Sequence, residues 1–88
     1  MQKALLVEFL GTLFLMFIVF ATNNYLAIGA ALALLVLFGG KISGGAYNPA
    51  VAVGLCMAGK ISKQNLLPYI VVETLGAVAA YYLYKQIR

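Results

Sequence analysis

Asn48 and Pro49, preceded by Ile42-Ser43-Gly44-Gly45-Ala46-Tyr47 and followed by Ala50, form the one segment of this chain suited to directed hydrogen-bond chemistry. A carboxamide both accepts and donates. Asn48 can therefore cap a helix by accepting from a backbone N–H two or three residues on, while its NH₂ stays free to donate elsewhere. Pro49 suits the first helical turn, because the donor it lacks would have no intrahelical partner there. The pair marks a helix start, and the glycine-bearing bend before it is something an uninterrupted apolar helix does not need. Covalent chemistry is not offered: His is absent, Cys56 is the single cysteine, and no nucleophile–base pair, metal-ligand set or phosphate loop is present. We expect no enzyme, no metal and no cofactor, and read Cys56 as a small packing residue.

The composition determines the solvent around this bend. The 88 residues are 65% hydrophobic and 9% charged, with mean hydropathy +1.02, so the chain needs an apolar environment, and that environment is the lipid bilayer. The formal charge is +4, but Lys3, Lys41, Lys60, Lys63, Lys85 and Arg88 all sit at the ends of apolar stretches. Cations so placed anchor a membrane protein at the headgroups and form no face for nucleic acid. The first apolar run is long and Glu8 interrupts its start, so we expect no cleavable leader and take Met1 as the first residue of the mature chain.

The elements that position Asn48 follow from hydropathy. Residues 5–21 and 25–40 form two apolar runs separated by Thr22-Asn23-Asn24, and a third run covers 66–84 with Pro68 in its first turn. Between Lys41 and Lys60 a full crossing does not fit, and a re-entrant path does. Residues 42–48, if extended at about 3.3 Å per residue over Ile42 to Tyr47, descend roughly 20 Å, more than the ~15 Å to the midplane of a ~30 Å hydrocarbon core. A half-helix over 49–58 at ~1.5 Å per residue returns ~15 Å to the same face, where Gly59 can end it. The alternative is a surface loop with a short amphipathic helix among the headgroups. It is disfavoured because Val51, Val53, Leu55 and Met57 fall on several helix faces. Non-helical backbone at membrane depth persists only where protein or a water-filled cavity satisfies its polar groups, so the loop must line something. The helix N-terminus it presents carries about half a positive charge, which attracts oxygen lone pairs and repels cations.

Ser43-Gly44-Gly45-Ala46-Tyr47-Asn48-Pro49-Ala50-Val51 resembles the first signature loop of the aquaporin and glycerol-channel family, the major intrinsic proteins. Glu8-Phe9-Leu10-Gly11-Thr12 is similar to the opening of that family's first helix, and Glu73-Thr74-Leu75-Gly76-Ala77 to its third, where glutamine is usual at the Glu73 position. The likeness covers nearly the whole chain and half of the usual protein, whose two inverted repeats bring their half-helices together at mid-membrane. It implies an all-α integral membrane fold with 1–88 as a single half-aquaporin repeat, and a passive channel for water and/or small neutral solutes such as glycerol. Asn48, Pro49 and Ala50 would then be the pore motif, with Glu8 accepting hydrogen bonds from its own chain's loop and Glu73 doing similar work from the third helix. Proton coupling at these two glutamates is the alternative.

The same resemblance implies a selectivity ring of Ile28 from one chain with Val36, Gly45 and Val51 from the other. Residues 28, 32 and 36 share a helix face, which suits a pore stripe or a packing stripe. The family's usual arginine and histidine have no counterpart, since Val51 stands at the arginine position. The implied ring is apolar, so weak discrimination that admits glycerol beside water is expected, with dewetting and low water conductance as the other outcome.

Three crossings place the two ends of the repeat on opposite faces, so a separate second half must insert upside down. The bias is four cations, Lys3, Lys41, Lys60 and Lys63, against Lys85 and Arg88, which favours one topology without strongly excluding the other. We expect an inverted homodimer as the conducting unit. If the family's assembly carries over, four such dimers associate as eight chains, through small-residue surfaces such as Gly29 with Ala33 and Gly76 with Ala80. Those pairs equally suit contacts within one pore unit. A non-conducting or accessory half that pairs with another channel subunit is the second reading. A dual-topology small-molecule exporter is the third, but it needs four full crossings and gives Asn48-Pro49 no purpose.

Overall fold

The polar break at Thr22-Asn23-Asn24 folds the chain back on itself. In the computed structural model, which describes residues 1–88, Asn23 takes the left-handed conformation (φ 45°) at the end of helix α1 (Gln2–Thr22). Asn24 then caps α2 (Tyr25–Ser43), its Oδ1 accepting from the Leu26 and Ala27 N–H groups at 3.0 Å each. Asparagine tolerates the left-handed region and competes well for backbone donors, so two consecutive asparagines make a tight turn without glycine. Replacing the cap, Asn24→Ala, is expected to lower stability by about 1 kcal/mol, read as a shift in the denaturation midpoint of detergent-solubilised protein. No shift at all shows that water replaces the cap.

α1, α2 and α4 (Lys63–Ile87) are each long and apolar enough to cross a membrane; α3 (Pro49–Met57) is not. At ~1.5 Å per residue α1 spans roughly 31 Å, close to a hydrocarbon core. α1 is central, packing against α4 on one side and α2 on the other, while α3 packs against α4. The close α1–α4 approach is set by Gly76: a Cβ there would stand 2.6 Å from the Phe9 carbonyl oxygen and 3.2 Å from the Leu13 nitrogen. Ala80, one turn on, is fully buried. The Gly76–Ala80 surface therefore serves packing inside one chain, whereas Gly29 has open space around it and Ala33 is exposed. At the opposite end of α4, Phe17 and Phe20 meet Tyr81 and Tyr84 edge-on or stacked, an aromatic cluster of the kind that settles at a membrane–water boundary.

The helices run past the apolar runs, α1 beginning at Gln2 rather than residue 5 and α4 ending at Ile87 rather than residue 84, and three further differences bear on the site. α4 begins at Lys63 rather than residue 66, so Pro68 lies inside the helix and not in its first turn. The carbonyl of Gln64 loses its helical partner there, which is tolerated because Gln64 is exposed at the helix end. α3 ends at Met57, one residue before the expected 58. Ile42 and Ser43 belong to α2 and do not extend: Gly44 (φ 90°) caps that helix with its N–H on the Gly40 carbonyl. The descent is thus a compact bend over 44–48 with positive φ at Gly44, Gly45 and Tyr47, not an extended strand over 42–47. A short loop suffices because α2 stops beside Glu8, which at ~1.5 Å per residue lies about 9 Å below the start of α1.

Candidate functional site

Glu8 organises the bend. Its carboxylate is fully buried and accepts from the Ser43 hydroxyl (2.6 Å) and the Ala46 N–H (3.2 Å) at Oε2, and from the Tyr47 N–H (2.8 Å) at Oε1. Ser43 Oγ also accepts from the Gly45 N–H at 3.1 Å. Thr12 donates to the Tyr47 carbonyl at 3.3 Å, and the Tyr69 hydroxyl donates to the Ser43 carbonyl at 2.7 Å. These side chains, from α1, α2 and α4, do for the irregular backbone what water would do outside a membrane. In hydrocarbon each buried group left unpaired costs several kcal/mol.

Tyr47 is the loop-positioning residue to which sequence reasoning assigned no role of its own. It sits at φ 56°, an uncommon conformation for an aromatic residue, and its hydroxyl donates to the Leu35 carbonyl on α2 at 2.7 Å. Its ring lies between Gly11 of α1 and Gly39 of α2, and a Cβ at either glycine would overlap it. The ring is a wedge that locks the loop between two helices. The available signal was the pair of glycines, one in each helix interior, where glycine weakens a helix unless something needs the space.

Asn48 takes an extended backbone (φ −158°, ψ 129°) and caps α3, its Oδ1 accepting from the Ala50 N–H at 2.8 Å. The Asn48 NH₂ makes no hydrogen bond within the chain, and Asn48, Pro49 and Ala50 are exposed. Asn48 and Pro49 share a cavity of about 300 Å³ with Thr12, Met16, Glu73 and Thr74, which lie near the middles of α1 and α4. From that mid-height α3 runs back toward the end where α1 begins. There Ala52 joins Ala4, Ala46, Ile61 and Tyr69 in the buried core, with Leu55 and Cys56 packed against it. Cys56 is a free, half-buried thiol in that packing.

Glu73 behaves differently from Glu8. It is 1% exposed, yet neither carboxyl oxygen has a hydrogen-bond partner. It does not accept from the loop as Glu8 does, because Ser43, Ala46 and Tyr47 already point their donors at α1. Of the ring residues, Val36 and Gly45 are neighbours, with Val36 Cγ2 3.5 Å from where a Cβ of Gly45 would lie. Val51 is exposed on the first turn of α3. Ile28 stands at the opposite end of α2, and the single chain does not bring it to the others. No packing joins α2 to α3, so Val36 and Val51, 46% and 43% exposed, border an uncovered face with Asn48 between the two helices in sequence.

Three apolar crossings, with an irregular loop at mid-height whose backbone is satisfied by buried side chains, define an integral, multi-pass, all-α membrane protein. The chain matches the major intrinsic protein family along residues 1–88, and it belongs to that family. It is 40% identical to aquaporin Z of Brucella melitensis over 91% of this chain and 42% of that protein. It is 39% identical to glycerol uptake facilitator protein-like 6 of Lactiplantibacillus plantarum, over 90% of this chain and 41% of that one. Against aquaporin NIP1-1 of Oryza sativa subsp. japonica the identity is 39%, over 98% and 33%. The chain thus spans less than half the length of these curated relatives. No solved structure matches it.

Proposed function

We propose that residues 1–88 supply one half of a passive transmembrane channel for water and small neutral solutes such as glycerol, completed by an inverted second copy. The observation that carries this reading is Asn48: it stands at mid-height, its oxygen engaged in capping α3 and its NH₂ free, beside a face that α2 and α3 leave open. Two inverted copies bring two such donors and two helix N-termini to one point. A water oxygen held by both donors accepts from each and turns its own hydrogens outward, so a continuous proton wire is broken there. The opposed dipoles add a barrier to cations. Val36, Gly45 and Val51 of one copy with Ile28 of the other would form an apolar constriction at each mouth, wide in chemistry because it lacks a charged donor.

The names of the relatives, aquaporins and a glycerol uptake facilitator, support the solute class. The cation distribution, Lys3, Lys41, Lys60 and Lys63 against Lys85 and Arg88, favours one orientation but is small enough to allow insertion in both. Four inverted dimers, eight chains, would follow if pores associate through outward surfaces such as that around Gly29 and Ala33. A second reading is a half that does not conduct by itself and pairs with another channel subunit; the coverage of less than half of each relative fits it as well as self-assembly.

The purified 88-residue chain in proteoliposomes separates the two. We expect faster osmotic shrinkage than empty vesicles, a glycerol reflection coefficient well below one, and terminal reporters labelled from both faces. Folded chains that all point one way and conduct nothing would refute self-assembly and leave the partnered half.

A further inference from the structure

The chain has only two acidic side chains, Glu8 and Glu73, and both are buried, at 0% and 1% exposure, where α1 meets α4. Glu73 lies one turn before Gly76, which packs against Phe9, Thr12 and Leu13, the turn that follows Glu8, so the two carboxyls stand on the same seam between α1 and α4. All six basic side chains are exposed at helix ends, so no cation of the chain compensates either carboxyl. Two adjacent carboxylates cannot both stay ionised in so dry a place.

The hydrogen bonds say which one carries the charge. Glu8 accepts from Ser43, Ala46 and Tyr47, an acceptor-only role that an ionised carboxylate fills on both oxygens. Glu73 receives no donor on either oxygen, so no hydrogen bond within the chain holds a charge there. The other titratable groups packed around the pair are Tyr47 of the loop and Tyr69 of α4. Both phenols already donate elsewhere, to Leu35 and Ser43, so neither supplies Glu73.

We propose that this pair is a proton-binding site: Glu8 and Glu73 hold one proton between them, and Glu73 carries it as a neutral carboxylic acid. In that form Glu73 has the shape and neutrality of glutamine, with an O–H that can be donated to an oxygen in the cavity it shares with Asn48, Pro49 and Thr12. Loss of the proton would set a second negative charge against Glu8, the anchor of the loop. The site is therefore a place where proton occupancy and loop geometry are linked. It stands on the carboxyl pair alone and does not depend on the channel reading.

Infrared spectroscopy of the reconstituted chain, with glutamate labelled by ¹³C at the side-chain carboxyl, tests this directly, since the label falls on two groups and no others. At pH 7 the wild type is expected to show one protonated-carboxyl stretch and one carboxylate pair of bands, and Glu73→Gln to lose the protonated band while keeping the carboxylate bands. If wild type shows only carboxylate bands, with or without dependence on sodium, both groups are ionised and the proposal fails. If the protonated band survives in Glu73→Gln, Glu8 holds the proton and the assignment is overturned. Should that variant not fold, the wild-type spectrum still decides whether the proton is there, and Glu73→Asp, which keeps a carboxyl, reports whether the band moves with residue 73.

Discussion

Glu8→Ala is expected to cost about 3 kcal/mol or more of stability, because it leaves the Ser43 hydroxyl and the Ala46 and Tyr47 N–H groups without an acceptor at buried positions, each worth ~1–3 kcal/mol when stranded. The damage is to the loop and not to the crossings. α1 keeps its apolar sequence, and alanine is a better helix former than glutamate, so helix content measured by circular dichroism should hardly change. The denaturation midpoint in mixed detergent should fall, and protease access between Gly44 and Asn48 should appear. With the loop released, Tyr47 has no reason to stay at φ 56° between Gly11 and Gly39, and any solute flux through the proposed channel should drop to that of empty vesicles. A loss below ~1 kcal/mol would mean that the three donors find other acceptors, and that Glu8 does not set the bend.

Asn48→Asp should leave the fold intact and, in the proposed channel, change what passes. A carboxylate oxygen can accept from the Ala50 N–H as the carboxamide does, and a negative charge at a helix N-terminus is favourable by ~0.3–1 kcal/mol. Two things are lost with the amide: the free donor at mid-height, and neutrality. At an effective dielectric near 20, a charge attracts its opposite 4 Å away by about 4 kcal/mol, enough to raise the population of a hydronium at the centre by roughly three orders of magnitude. We expect proton leak in proteoliposomes to rise at least tenfold and water permeability to fall. Wild-type permeability together with intact proton exclusion would remove Asn48 from the conduction path, and with it the proposed function.

Local features carried much of this outcome. Asn48 and Pro49 announce a helix start by residue type, because capping and the missing proline donor act within one turn. Three long apolar runs announce three crossings because the bilayer penalises every exposed polar group regardless of fold. Where the hydropathy reading missed, the cause was distant. Ser43 is polar and follows two glycines and a lysine, so it reads as loop. It is helical because Glu8 and the Gly39 carbonyl hold its hydroxyl. Pro68 looked like a first-turn residue, but the turn before it has an exposed helix end that tolerates a missing bond.

Glu8 and Glu73 show the division most sharply. Both are glutamates near the start or middle of an apolar helix, and the chain alone suggests the same task for each. One receives three donors and the other receives none, a difference that depends on which side of the bend faces α1 and which faces α4. The membrane solvent, the number of crossings and the cap that begins α3 are legible in the residue order, since they follow from transfer free energy and from hydrogen bonds within a turn. The wedge of Tyr47 between two glycines, the gap between α2 and α3, and the burial of two acidic groups on one seam are visible in the assembled fold alone, because each depends on surfaces brought together from residues far apart along the chain.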